Sequence, residues 1–516
     1  MSTAQFCILS AIVIYITATI LIGVYYGRKG SGGNSDEFYL GGRKLGPYVT
    51  AMSAEASDMS SYLLMGLPGL AYLAGVAEVG WTVIGLAVGT YLNWLIVAKR
   101  LRRYSAQLGA VTVPEYFSRR YGDTRHMLSA IAAVVILVFF VPYTASGFSA
   151  VGKLFNSLFG VDYHVAMLVG AVIIIGYTVL GGFLAVSTTD FVQSVVMTIA
   201  LLAVLVFGVG QAGGLGAVVD NAKSLAGYLN LTKGYDAATG GAGSFGVLPI
   251  ASTLAWGLGY FGMPHILLRF MAIRDEGELK TSRRVASVWV VISMAIAIFI
   301  GIVGNAVAAA RKFDTAALAD LSSRGGETIV VQLSNLMSQH SVLLALVAGV
   351  VLAGILAATM STADSQLLAA ASSMSQDLLQ HFFKVRLSQK ANMLVARCTV
   401  VVIALVAVVL AWNPDSSVFR VVSFAWAGFG AAFGPVVLLS LFWKRSNKWG
   451  ALCGMIAGGA MVFIWKFGVA KLGGAWAIYE LLPAFLVGCI VMVIVSLLTP
   501  APEKEVQDAF EKSKKA

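Results

Sequence analysis

Apolar residues run along this chain in long stretches separated by short polar ones, and a bilayer span needs about 20 such residues. Thirteen stretches qualify: 6–26, 48–73, 81–98, 128–154, 163–180, 189–212, 247–270, 285–309, 342–376, 395–412, 418–443, 450–467 and 479–498. The pattern predicts an all-α polytopic membrane protein, one domain over 1–516, with a tail from 500 to 516. No Lys or Arg precedes the first stretch and no small-residue cleavage site follows it. It reads as a retained helix and not as a signal peptide.

Polar residues inside these stretches carry the next inference, because an ionisable group at membrane depth costs about 3 kcal/mol. The second stretch holds SAEASDMSSYLLMGLPG from Ser53 to Gly69, with Glu55, Asp58 and four serines ahead of Gly66, Pro68 and Gly69. A wound helix satisfies its own backbone, so this composition predicts a break lining a cavity. Serines packing helices together would be the plainer reading, and it leaves the carboxylates unexplained. The seventh stretch reads WGLGYFGMPHILLRF, interrupted by Gly257, Gly259, Gly262 and Pro264, with Trp256 and Tyr260 four apart on one face. A kinked helix with aromatic packing is its alternative. His265 is expected to be a hydrogen-bonded structural residue. In the ninth stretch, AATMSTADSQLL offers Ser361, Thr362 and Ser365 beside Asp364 and Gln366. Such hydroxyls, with carbonyls freed in the second helix, suit a hard cation; they can also bond their own helix.

Charge orders these helices. With the N-terminus outside, 27 of the 36 Lys and Arg fall in the inside segments, as the positive-inside rule requires. The topology is then N-out, C-in, and helices 2–6 and 7–11 are two five-helix units of opposite orientation, covering 48–212 and 247–443. Interrupted helices at corresponding places in two halves point to a transporter site. Composition agrees: 58% of residues are hydrophobic and 12% charged, against about 25% charged in soluble domains. The net charge of +11 sits in short loops beside helix ends, without a basic stripe for nucleic acid. The four cysteines all fall in apolar stretches without Cys-x-x-Cys spacing and are expected to be buried filler. No phosphate loop, dinucleotide fingerprint or nucleophile elbow is present, which argues against an enzyme or an ATP-driven pump and for a protein without a cofactor.

The motifs LGGRKLGP, ASDMS followed by LLMGLPG, LGGFLAVSTTDFVQ, WGLGYFGMPHIL, MST with QLL, and SFAWAGFGAAFGPVV resemble the sodium:solute symporter family, in its proline branch, over nearly the whole length. The resemblance implies a leucine-transporter-like core of ten helices in two inverted repeats, one helix before it and two after. It implies a sodium ion bound by the main-chain oxygens of Ala56, Met59 and Ala358 and the hydroxyls of Ser361 and Thr362. Asp58 matches the family's sodium-dependence carboxylate, and Ser60 a position close to ion and substrate. L-proline would lie around Tyr143, Trp256, Tyr260 and Pro264. Arg43 and Asp190 match positions used on the cytoplasmic side for coupling and sodium release.

This chain departs from the branch at Ser61-Tyr62, where Gly-Trp is frequent, at Met263, where a glutamine is familiar, and at Thr188, where a tryptophan is usual. Tyr62 and Met263 fall at the expected pocket. Glu55, Asp364 and Gln366 are further candidates beside it. The expectation is sodium-coupled proline uptake by a monomer in the bacterial inner membrane, with the lipid bilayer as its solvent. Its alternatives are symport of another small solute, proton coupling through Glu55, Asp58 or Asp364, and a membrane-embedded sensor or channel.

Overall fold

The computed structural model describes residues 2–30, 35–180, 182–385 and 388–515. Each of the thirteen predicted stretches is helical: α1 (Thr3–Gly30), α2 (47–74), α3 (Val76–Gln107), α4 (Met127–Phe159), α5 (Tyr163–Leu180), α6 (Phe183–Gln211), α7 (247–272), α8 (Leu279–Ala309), α9 (Val342–Phe382), α10 (Gln389–Leu410), α11 (Val418–Phe442), α12 (Lys448–Phe467) and α13 (Leu481–Leu498). Among the described residues, ten helices are long and apolar enough to cross a membrane. α2, α5 and α7 are not among the ten, and α2 and α7 are the two helices that the sequence marks as interrupted.

Two boundaries differ from expectation for a physical reason. α3 continues to Gln107 because its charged end is held: Arg103 grips Glu276 at 2.7 and 3.0 Å, and Arg102 donates to the Ile273 carbonyl at 2.6 Å. α6 starts at Phe183, six residues early, which carries Asp190 into the interior. Outward-facing side chains such as Val172, Val206, Val402 and Leu498 are exposed and apolar, a surface suited to lipid. Cys398 belongs to that surface. Cys453 and Cys489 are half-buried, so the expectation of four buried cysteines holds at Cys7 alone: an apolar helix face next to lipid needs no burial.

The two long loops are structured. The 213–245 segment forms a helix, Leu215–Ser224, and a hairpin, β1 (Lys233–Asp236) paired antiparallel with β2 (Gly241–Ser244). The 311–341 segment forms two short helices, Thr315–Ser323 and Ile329–Ser338. Between them Glu327 pairs with Lys153 of α4 at 2.6 Å, both buried, and accepts from Ser417 ahead of α11 at 2.8 Å. The tail helix Lys504–Lys515 buries Phe510 beside Tyr104 and Arg120.

α3 and α7 meet backbone to backbone. A Cβ on Gly89 would lie 2.3 Å from the Gly257 carbonyl oxygen, and one on Gly85 would lie 2.4 Å from that of Leu254. Glycine is required here for close approach. Gly89→Val is expected to cost about 1–3 kcal/mol, seen as a lower melting temperature in detergent. Gly210→Ala, which meets nothing within 4 Å, should melt within a degree or so of the parent (about 0.3 kcal/mol).

Candidate ion and substrate site

α2 breaks where its polar residues are densest. Ser60 has φ +48° and ψ −169°, a conformation that costs a non-glycine residue about 1–3 kcal/mol. A π-turn over Tyr62–Gly66 follows before the helix resumes at Leu67. α9 passes beside this break. The Ser361 hydroxyl lies 2.9 Å from the Ala56 carbonyl oxygen and 3.2 Å from that of Ala358. The Thr362 hydroxyl lies 3.2 Å from the same Ala358 oxygen. Four of the five predicted donors thus converge. The Met59 carbonyl, one turn on and buried, accepts from the Tyr62 N–H. Neutral, hard oxygens of two carbonyls and two hydroxyls match an alkali cation and offer nothing to a soft metal.

Asp58 stands next to this cluster. Its Oδ2 accepts from the Tyr260 hydroxyl at 2.7 Å, and its main-chain oxygen accepts from the Tyr143 hydroxyl at 3.2 Å. Oδ1 is buried without a hydrogen-bond partner, so this carboxylate has unspent acceptor capacity toward a cation or an ammonium. Residues from α2, α4 and α7 meet at one group.

Glu55 faces a different way. Its Oε1 accepts from Thr90 at 3.0 Å and Trp94 at 2.8 Å, both on α3. Asp364 is buried, with Oδ1 at 3.3 Å from the Ser365 hydroxyl. Gln366 accepts from Thr144 at 3.0 Å and leaves Nε2 without a partner. It lines a small cavity with Ser60, Tyr143, Thr144 and Thr362, about 10 Å³ in volume. That is about the room one water needs, so the space between α2, α4 and α9 is closed in this structure.

On α7 the Gly-rich sequence winds tightly over Ala255–Phe261, turns extended at Met263, and restarts at Pro264. Proline suits that first helical position because its missing N–H would be unpaired anyway. Trp256 stacks on Tyr62 with ring centroids 5.8 Å apart and on Tyr479 at 5.1 Å. Tyr260 meets Trp426 edge-on at 5.1 Å. Met263 and Pro264 are buried. His265 corrects the expectation made for it: its ring is buried 5.7 Å from Phe140, and neither nitrogen has a hydrogen-bond partner. Packing against a ring holds it where a polar contact was expected.

Arg43 and Asp190 are not brought together. Arg43 donates to the carbonyls of Met271 at 2.6 Å and Ala110 at 2.7 Å, and to Ser105. Asp190 pairs at 2.9 Å with Arg269, both fully buried. Arg269 also donates to Ser365 at 2.6 Å, Ser53 at 3.0 Å and the His265 carbonyl at 3.0 Å. This guanidinium ties α7 to α2, α6 and α9. The charge count places it among the inside basic residues, although its position within the apolar PHILLRF run is a readable sign of burial. Tyr479 and the Thr90–Trp94 pair were also missed, since nothing local marks them.

The sequence profile of the sodium:solute symporter family matches residues 38–458. The chain is 42% identical to the high-affinity proline transporter PutP of Bacillus subtilis, covering 95% of this chain and 98% of that protein. It is also 42% identical to the sodium/proline symporter of Haemophilus influenzae, covering 98% and 97%. Among solved structures, a Na+-coupled sialic acid symporter in a substrate-bound outward-open state superposes with a TM-score of 0.76 at 17% identity, over 96% of this chain and 99% of that one. MHP1, a nucleobase-cation-symport-1 family transporter, superposes with a TM-score of 0.55 at 15% identity, over 92% and 98%. The fold is thus leucine-transporter-like, in a multi-pass membrane protein. The chain belongs to the sodium:solute symporter family.

Proposed function

We propose that this protein takes up L-proline in symport with Na+ by alternating access. The observation that carries this reading is the α2/α9 crossing, where four neutral oxygens converge next to Asp58 and Tyr260. The names of its bacterial relatives, proline transporter and sodium/proline symporter, support the solute and the ion. Na+ takes the oxygens of Ala56, Ala358, Ser361 and Thr362, with Met59 as a fifth donor. Bound there, it holds the broken segment of α2 and pre-orders the pocket, so that each ligand raises the affinity for the other. The proline ring lies against Trp256, Tyr260 and Pro264 near Met263, with Tyr143 and Ser60 beside it. The proline carboxylate points at the amides freed at the break. Arg43 and Asp190 act later, on the cytoplasmic side.

The same reading takes thirteen spans, N-out and C-in, two inverted repeats, a bacterial inner membrane and a monomer; the placement of 27 of 36 basic residues supports the topology. A potential of 100 mV supplies about 2.3 kcal/mol per charge, and a tenfold sodium gradient about 1.4 more. One Na+ then sustains a solute ratio of a few hundred (about 3.7 kcal/mol in all).

Radiolabelled L-proline uptake into proteoliposomes, with and without an inward Na+ gradient, tests this for the parent and Asp58→Ala. Accumulation that needs Na+ and collapses in the variant is expected. Full uptake with choline in place of Na+ at fixed pH would remove the ion assignment. The buried Met263 at the α7 break favours one second reading, the same mechanism for another small solute. Sodium-driven accumulation of a different compound, with none of proline, would establish it.

A further inference from the structure

The turn ahead of α4 and the first turn of α12 enclose an open groove of about 340 Å³, a size within the roughly 300–1,000 Å³ range of ligand pockets. Arg125 lines one side and Lys448 and Trp449 the other, with Met127 and Leu452 adding apolar surface. Arg125 and Lys448 are exposed, and neither has an ion pair among the described residues. The Lys448 ammonium instead lies 5.6 Å from the centre of the Trp449 ring. The acid in the lining, Asp123, is committed elsewhere: its buried carboxylate accepts the Leu128 N–H at 2.7 Å and so caps α4. On the other wall the Asn447 side chain accepts from the Gly450 N–H at 2.9 Å. That cap leaves the N–H groups of Lys448 and Trp449 without an acceptor among the described residues. Asn447 also donates to the Pro500 carbonyl at 2.8 Å, which fixes this wall to the chain beyond α13.

We propose that this groove binds an anionic phospholipid, with its phosphodiester between Arg125 and Lys448 and its upper acyl chain along Trp449, Met127 and Leu452. Two unpaired cations beside open helix-start amides make a phosphate site. Both walls are the first turns of membrane-spanning helices, so the groove lies at the level where headgroups begin. Tryptophan is enriched at that level, and Lys and Arg there draw anionic headgroups. A free phosphate is the less suitable occupant, because it needs only the cations and leaves Trp449, 43% exposed, facing water. A zwitterionic lipid brings an ammonium that finds no free carboxylate, since Asp123 already caps α4. Assignment to the cytoplasmic leaflet rests on the topology proposed above; the binding site itself does not.

The probe is dioctanoyl phosphatidylglycerol, titrated into the purified full-length protein in detergent and followed by native mass spectrometry. Saturable binding is expected, weakened at least tenfold when Arg125→Gln is combined with Lys448→Gln. Arg125→Lys combined with Lys448→Arg should keep it, because the charges remain. Lys471→Gln, past the far end of α12, should bind as the parent does. Dioctanoyl phosphatidylcholine, with the same chains, is expected to bind at least tenfold more weakly than the glycerol lipid. No saturable binding to the parent, equal binding to the doubly neutral variant, or equal binding of the two lipids overturns the site. Displacement of the lipid by an equal concentration of inorganic phosphate overturns the lipid assignment and makes this a site for a soluble anion.

Discussion

Removal of the Ser361 hydroxyl is expected to raise the sodium concentration for half-maximal uptake by at least tenfold. Ser361→Ala deletes the one side-chain oxygen seen to bridge α9 to the freed carbonyl of Ala56, 2.9 Å away. A hydrogen bond or ligand contact to a charged group contributes about 1.5–3 kcal/mol, and each 1.4 kcal/mol is a factor of ten. Ser361→Ala with Thr362→Ala should lose sodium dependence altogether within an accessible concentration range. The hydroxyl of Thr178, which caps its own helix at Ile174, provides the contrast: Thr178→Val should move the sodium curve less than twofold. A Ser361→Ala protein with an unchanged sodium curve would place the ion elsewhere.

The second large effect is expected at Arg269, and it is on stability. Arg269→Met leaves Asp190 charged, fully buried and without its 2.9 Å partner. Stranding one member of a buried pair costs about 3–5 kcal/mol, a large part of the stability of most domains. Fluorescence-detected size exclusion after heating should report a loss of folded protein at much lower temperature. Arg269→Met combined with Asp190→Asn should recover more than half of the loss, because the uncompensated charge is gone. A double variant no better than Arg269→Met alone would mean that the contacts of Arg269 to Ser53 and Ser365 carry the stability instead of the charge pair.

Much of this was legible along the chain. Helices were, because bilayer burial demands long apolar runs, and the two broken ones were, because Gly, Pro and carboxylates cannot sit quietly in lipid-facing helix. The location of the α2 break was less so. Gly66, Pro68 and Gly69 looked like the interruption, yet Ser60 takes the positive φ while α2 runs helical again through Pro68. A serine accepts that strain when its surroundings over-determine it, and those surroundings come from α4 and α9. The oxygen cluster at the α2/α9 crossing was recognisable through motif resemblance, and its hydroxyls on α9 also as polar residues inside an apolar run. The partners of Glu55, Asp190 and Trp256 were not. Trp94, Arg269 and Tyr479 lie 39, 79 and 223 positions away, and local pattern has no access to pairings across the fold.

The glycines of α7 have a consequence for how its substrate range can change. Gly257 is pressed on α3, and a Cβ on Gly262 would lie 2.1 Å from the Phe429 carbonyl oxygen on α11. The side chain of Asn93 holds the Tyr260 carbonyl at 2.9 Å. The broken segment is thus cast in a mould of backbone on both sides and has no room to reshape itself around a different solute. New specificities are left to side chains facing the cavity. Tyr62, whose ring stacks on Trp256, and the buried Met263 are side chains at the two breaks that can change without disturbing the mould.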